Sequence, residues 1–146
     1  MIDGVLIKPL KVITNEKGDV RQMVRCDDPF FKNFGEIYFS FIEPGFVKGW
    51  KKHLRQTQHY AVPIGKIKLV LYDARTKSPT KGQVQEIIVG ARNYQLVRIP
   101  PRVWYAFQAV GRTKALIANC ADRPHEPKES INIEISDQSI PYTWKV

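Results

Sequence analysis

The sequence predicts an all-β fold, a sandwich or barrel, on two observations. Apolar residues alternate with a period of two rather than 3.6, and turn-forming clusters separate about ten short runs at roughly 8–12-residue spacing. The 36–42 run sets Ile37, Phe39 and Phe41 against Tyr38 and Ser40, and the 66–72 run sets Ile67, Leu69 and Leu71 against Lys66 and Lys68. Further strand-like runs cover 20–25, 47–53, 60–64, 84–89, 94–99, 104–109, 114–120 and 131–135. Turn signals stand between them at 15–18 (NEKG), 43–45 (EPG), 78–82 (SPTKG) and 90–93 (GARN). One helical turn is expected at 28–34, with Asp28 as its cap and Pro29 at the first helical position, where a missing N–H costs nothing. The tail 140–146 (IPYTWKV) is apolar and is expected to pack on the body. No composition shift marks a linker, so residues 1–146 read as one domain.

Composition narrows the function classes. The 146 residues are 43% hydrophobic and 25% charged, values of an ordinary globular protein. No stretch approaches the roughly 20 apolar residues of a membrane span, and the first ten residues lack the features of a secretion signal. Cys26 and Cys120 have no CxxC spacing and read as free thiols in a reducing cytoplasm. The net charge of +9 favours anionic partners. Nucleic acid is disfavoured, because no zinc-ligand, RRM-like or helix-turn-helix signature accompanies that charge.

Chemistry-bearing residues are densest at 45–65 (GFVKGWKKHLRQTQHYAVPIG). Strict alternation puts Gly49, Lys51, His53 and Arg55 on one face of a strand, and Lys48, Trp50 and Lys52 on the other. On the next strand Gln58, Tyr60, Val62 and Ile64 share the apolar, inward face, with His59 opposite. A cation facing such an interior needs an anionic partner or a shifted pKa, which points to a pocket for an anionic small molecule.

The spacing Gly45–x5–Lys51–x–His53–x4–Gln58–x6–Gly65 resembles the first motif of the cupin jelly roll, and 99–107 (IPPRVWYAF) resembles the second, with Arg102 at its glycine and Tyr105 at its histidine. The resemblance implies a cupin-type double-stranded β-helix. Of the four ligand positions in that pattern only His53 is a usual metal ligand, and Lys51, Gln58 and Tyr105 fill the others, so no metal is expected.

Within the cupins, 69–82 (LVLYDARTKSPTKG), 47–50 (VKGW), the 15–18 turn, 99–107 and the ending 136–144 (SDQSIPYTW) resemble, in order, segments of the dTDP-4-dehydrorhamnose 3,5-epimerase family. The resemblance implies a cofactor-free isomerase in deoxysugar or surface-polysaccharide synthesis, acting on a nucleoside-diphosphate sugar through an enolate, and a homodimer. Asp137 matches the family's dyad aspartate and Lys51 stands at its catalytic histidine. Gln58 lies near its oxyanion lysine, and Ala118 or Asn119 near its acidic tyrosine. Lys51 is therefore expected as electrophile or base, His53 as a base whose tautomer Asp137 sets, and Tyr105 or Tyr60 as the group returning a proton. Lys48, Arg75 and Arg102 are candidates for a diphosphate, and Trp104 for stacking on a base or sugar. Gln58, Tyr60 and Asn119 complete the expected binding set. A non-catalytic sugar-nucleotide or carbohydrate binder on the same fold, and a polyanion binder, stay open as alternatives.

Overall fold

A computed structural model describes residues 1–145. The strands are β1 (Leu6–Pro9), β2 (Val12–Asn15), β3 (Gly18–Arg21), β4 (Glu36–Ile42), β5 (Val47–His53) and β6 (Gln58–Ile64), followed by β7 (Lys66–Tyr72), β8 (Val84–Gly90), β9 (Gln95–Ile99), β10 (Trp104–Ala109), β11 (Ala115–Ala121) and β12 (Ser130–Asn132). Two five-stranded sheets face each other, in the orders β1-β9-β6-β11-β4 and β12-β5-β10-β7-β8, while β2 and β3 form a separate hairpin. Every ladder between these strands is antiparallel. Consecutive strands β4 to β7 alternate between the two sheets, the winding of a jelly roll.

Inward rows of both sheets close the core. Tyr60 and Val62 meet Leu69, Leu71, Val97, Ile99, Tyr105, Phe107 and Ile117, all buried. A second cluster lies on the outer face of the β5–β10–β7 sheet, where Trp50, Val70, Trp104 and Ala106 are covered by Ile140 and Trp144. The C-terminal segment therefore packs against the body through residue 145, and Val146 lies outside the described residues.

Several boundaries differ from the sequence expectation. The 20–25 strand is β3, ending at Arg21, and the 131–135 strand shrinks to β12. Strands β1 and β2 are too short to show a period. Residues 28–34 form no helix. Asp28 spends its carboxylate on Lys8 Nζ (2.8 Å) and on the Arg25 N–H (2.7 Å) instead of on a first helical turn. One turn of 3-10 helix occurs elsewhere, at Pro127–Glu129.

Strand β5 breaks its alternation. Tyr105 pairs with Lys51, yet the next residue, Ala106, pairs with Gly49, so Trp50 is the extra residue of a bulge. Gly49 sits at φ +132°, and a Cβ there would lie 2.4 Å from the Ala106 Cβ, so only glycine lets the two strands approach. Lys48, expected opposite Lys51, is thereby brought to the same inner side, while Trp50 turns outward into the second cluster.

Candidate functional site

Between the two sheets lies a cavity of about 230 Å³. Lys48, Lys51, Tyr105 and Phe107 line it from one sheet, and Tyr38, Ser40, Tyr60 and Asn119 from the other. Lys48 Nζ donates to Ser40 Oγ (3.3 Å) and to the Phe41 carbonyl (2.5 Å). Among the described residues neither Lys48 nor Lys51 is ion-paired, so the cavity holds two uncompensated cations.

Tyr105 joins this cavity to a buried chain. Its O–H donates to His53 Nε2 at 3.0 Å, and His53 Nδ1–H donates to Glu129 Oε1 at 2.6 Å. The carboxylate facing Nδ1 fixes the tautomer, leaving the Nε2 lone pair toward the phenol. Glu129 Oε2 accepts the Arg55 and Gln56 N–H groups, both at 2.8 Å. The His53 and Tyr105 rings lie nearly parallel, 7° apart. His53 and Glu129 are each only 5% exposed, so that end of the chain is screened from water, while Tyr105 opens onto the cavity.

Burial works against charge on each member. It lowers the His53 pKa below the ordinary 6.5, against the pull of Glu129 and with help from Lys51. Burial also acts to raise the Glu129 carboxyl, but hydrogen bonds from His53, Arg55 and Gln56 outweigh it and hold the group ionised. Burial drives the Tyr105 phenol well above 10, although hydrogen bonding resists it, so Tyr105 rests protonated. At neutral pH the chain is carboxylate, neutral imidazole and neutral phenol.

On the facing sheet Asn119 is a hub. Its amide donates to Gln58 Oε1 and to Tyr38 Oη, both at 2.9 Å. Gln58 is buried behind this wall and acts on the cavity through Asn119. Tyr60 stands edge-on to the Tyr105 and Phe107 rings.

The expected residues divide into two groups. Lys48, Lys51, Tyr60, Tyr105 and Asn119 line the cavity, with His53 and Gln58 directly behind them. Asp137, expected as the partner of His53, is partly exposed and bonds its own loop at Ser139 (2.5 Å). Glu129 takes that place because the 3-10 turn before β12 carries it beneath His53, where β12 pairs with β5.

Arg75, Arg102 and Trp104, expected at the ligand, lie outside the inter-sheet cavity. Arg75 forks onto the fully buried Asp73 (2.8 and 2.9 Å) and reaches the Asp3 carbonyl. Asp73 also accepts from Ser78 and Thr80, so the 73–80 segment is a self-bonded turn. Burial acts to raise the Asp73 carboxyl, but these bonds together hold it far below the usual carboxylate range. Arg102 occupies left-handed backbone space (φ 68°), a region that glycine enters freely and that costs an L-residue about 1–2 kcal/mol. Its N–H donates to the His53 carbonyl at 2.6 Å. Lys52, Arg75 and Arg102 face a separate outer concavity of about 510 Å³, with Lys52 seated over the Trp104 ring.

Glu129, which the sequence did not single out, completes the buried chain, and the polar Tyr38 and Ser40 row of β4 forms a wall of the cavity. Tyr38 and Ser40 face inward, which leaves Ile37, Phe39 and Phe41 exposed on the outside of an edge strand. No group of three or more His, Cys, Asp or Glu side chains suited to a metal occurs among the described residues. None of their helices is long and apolar enough to cross a membrane.

The family model described as dTDP-4-dehydrorhamnose 3,5-epimerase matches residues 1–146. The chain is 32% identical to a probable low-salt glycan biosynthesis epimerase, Agl13, of Haloferax volcanii, over 97% of this chain and 88% of that one. It is 31% identical to the spore coat polysaccharide biosynthesis protein SpsL of Bacillus subtilis, over 99% and 97%. Among solved structures, a dTDP sugar isomerase from Desulfovibrio desulfuricans superposes with a TM-score of 0.96 at 48% identity, covering 98% of this chain and 92% of that one.

Proposed function

Because the chain belongs to the dTDP-4-dehydrorhamnose 3,5-epimerase family, we propose that it is an epimerase or keto-isomerase of a nucleotide-linked 4-keto-6-deoxy sugar, working through an enolate in glycan synthesis. One observation carries the chemistry: the Glu129–His53–Tyr105 chain ends in a cavity that also holds two lysines with no ion-pair partner among the described residues.

The 4-keto group acidifies the hydrogens on its neighbouring carbons. Tyr105 Oη takes one of them while passing its own proton to His53 Nε2, and Glu129 stabilises the resulting imidazolium. The arrangement works as a serine triad does, with a phenol in the serine's place. A phenol with a raised pKa is a poor base alone, and coupling its proton loss to His53 removes that barrier. The electron pair moves onto the keto oxygen, where the Lys51 ammonium offsets the developing charge. Lys48 lies beside the outer strand β4, placed to hold a phosphate of the nucleotide. This chemistry calls on no cofactor.

We further propose a homodimer. Ile37, Phe39 and Phe41 are 50%, 61% and 51% exposed on one face of edge strand β4, an apolar row that a second copy would cover. A reducing cytoplasmic location fits Cys26 and Cys120, both free thiols.

A thermal-shift panel of nucleoside diphosphates, followed by NMR of dTDP-4-keto-6-deoxyhexoses incubated with the protein, tests this reading. A nucleotide that binds only the native state raises the melting temperature by mass action. The expected result is stabilisation by dTDP and altered ring-proton couplings in one keto sugar. Binding with no change in any bound sugar would reduce the protein to a sugar-nucleotide binder.

A further inference from the structure

Inversion at a carbon needs two proton-carrying groups, because the proton leaves one face of the enolate and returns to the other. The Tyr105 chain belongs to one sheet wall, and the carrier for the second face must stand on the other. On the reading that this cavity turns over a 4-keto sugar, we propose that Tyr38 is the group that returns the proton to the opposite face. Tyr38 lies on β4 as the cross-strand partner of Asn119, and its side chain lines the cavity.

The hydrogen bonds set the direction of its proton. Asn119 Nδ2 donates both to Gln58 Oε1 and to Tyr38 Oη, so its amide group is locked with the NH2 toward the phenol. Tyr38 Oη is therefore an acceptor from Asn119, and its own O–H is left to point at a ligand. Burial raises the Tyr38 pKa while the Asn119 bond lowers it, so the phenol is protonated at rest and its anion has a donor waiting. The Tyr38 phenol adds to the upward push on Tyr105, which disfavours a charge on Tyr105 while Tyr38 carries one.

Tyr60 shares the Tyr38 wall but suits the role less. It is 4% exposed and stands edge-on against the Tyr105 and Phe107 rings, beside the first proton carrier rather than across the cavity from it. Tyr38, at 39% exposed, sits where solvent reaches it.

The cycle balances. The C–H bond breaks, its electron pair becomes the enolate double bond, and the carbonyl pair moves onto the oxygen beside Lys51. The proton resides on Tyr105 as Tyr105's own passes to His53. The carbonyl then re-forms, the carbon takes the Tyr38 proton, and the Tyr38 phenolate is reprotonated by water. His53 releases its proton through Tyr105 to solvent, where it neutralises the hydroxide left when water reprotonates Tyr38.

The test uses the intact protein and a dTDP-4-keto-6-deoxyhexose in D2O, reading by NMR both deuterium beside the keto carbon and configuration from ring couplings. Tyr38→Phe should keep exchange within about tenfold of wild type, while inversion falls by roughly 100-fold or more. The melting temperature of the variant shows that the fold is retained. Inversion at the wild-type rate in Tyr38→Phe, or exchange and inversion falling together, would overturn the assignment. So would the uncoupled pattern appearing in Tyr60→Phe instead. Absence of exchange in the wild-type protein is a different failure, since it removes the catalytic reading itself.

Discussion

Replacing Glu129 with glutamine removes the charge behind the proton chain while keeping its shape. Glu129 accepts three N–H groups, from His53 (2.6 Å), Arg55 (2.8 Å) and Gln56 (2.8 Å), and is buried. An amide has one oxygen, so its NH2 must face at least one of those donors, at a stability cost of about 1–3 kcal/mol. The catalytic effect is larger. An imidazolium formed at His53 would lose its only buried counter-charge, a penalty of about 3–5 kcal/mol. At roughly 1.4 kcal/mol per factor of ten, kcat falls by about 10²–10⁴. KM should change little, because Glu129 does not line the cavity. Steady-state kinetics on the keto sugar, with a melting curve to establish folding, measure both effects. Asp137→Asn serves as the contrasting variant and should match wild type, since Asp137 is partly exposed and, among the described residues, its carboxylate bonds only within its own loop. A folded Glu129→Gln enzyme with kcat within about threefold of wild type would refute the chain as the proton path.

Four further outcomes follow from the same geometry. Burial depresses the His53 pKa, and catalysis needs the neutral ring, so kcat should fall on acidification with a midpoint below 6.5; a midpoint above 6.5 would contradict the buried acceptor. The sign for stability agrees: below pH 6.5 the unfolded chain binds a proton that the native His53 refuses, so His53 destabilises the fold as pH falls, which pH-dependent denaturant melts measure. Gly49→Ala would force a Cβ to 2.4 Å from Ala106, and should destabilise by about 1–3 kcal/mol or more in denaturant melts while disturbing the Lys48–Lys51 arrangement. If the proposed dimer forms through β4, Phe39→Lys should convert it to monomer in sedimentation without unfolding the chain, because Phe39 is exposed there; an unchanged mass would remove β4 from the interface.

The two-residue period made most of the strands legible, because inward rows such as Ile67, Leu69 and Leu71 really are buried. It failed where one residue per step does not hold. The bulge at Trp50 carries Lys48 to the side of Lys51, and alternation alone assigns it to the other face. On β4 the period identifies the strand without saying which row faces in, and here the polar row does. The cavity residues nearest His53 in the chain were readable from spacing, whereas Glu129 lies 76 positions away on a short 3-10 turn. Its only local sign is a proline-led turn just before a strand. Motif order instead singled out Asp137, eight residues further on, whose carboxylate never leaves the surface. Arg75 and Arg102 were legible as unusual arginines, but their tasks are a buried ion pair and a left-handed turn.

The central claim is that Tyr105 moves the proton, with His53 and Glu129 behind it and Lys51 at the keto oxygen. Comparing solvent-deuterium uptake into a bound 4-keto sugar by the wild-type protein and by Tyr105→Phe tests it most directly. The ring of the variant keeps its place against Tyr60 and His53, so only the proton carrier is lost. Label should appear beside the keto carbon with the wild type, and its rate of appearance should fall by at least about 100-fold with the variant. Equal rates in the two proteins, or no label in either, would contradict it.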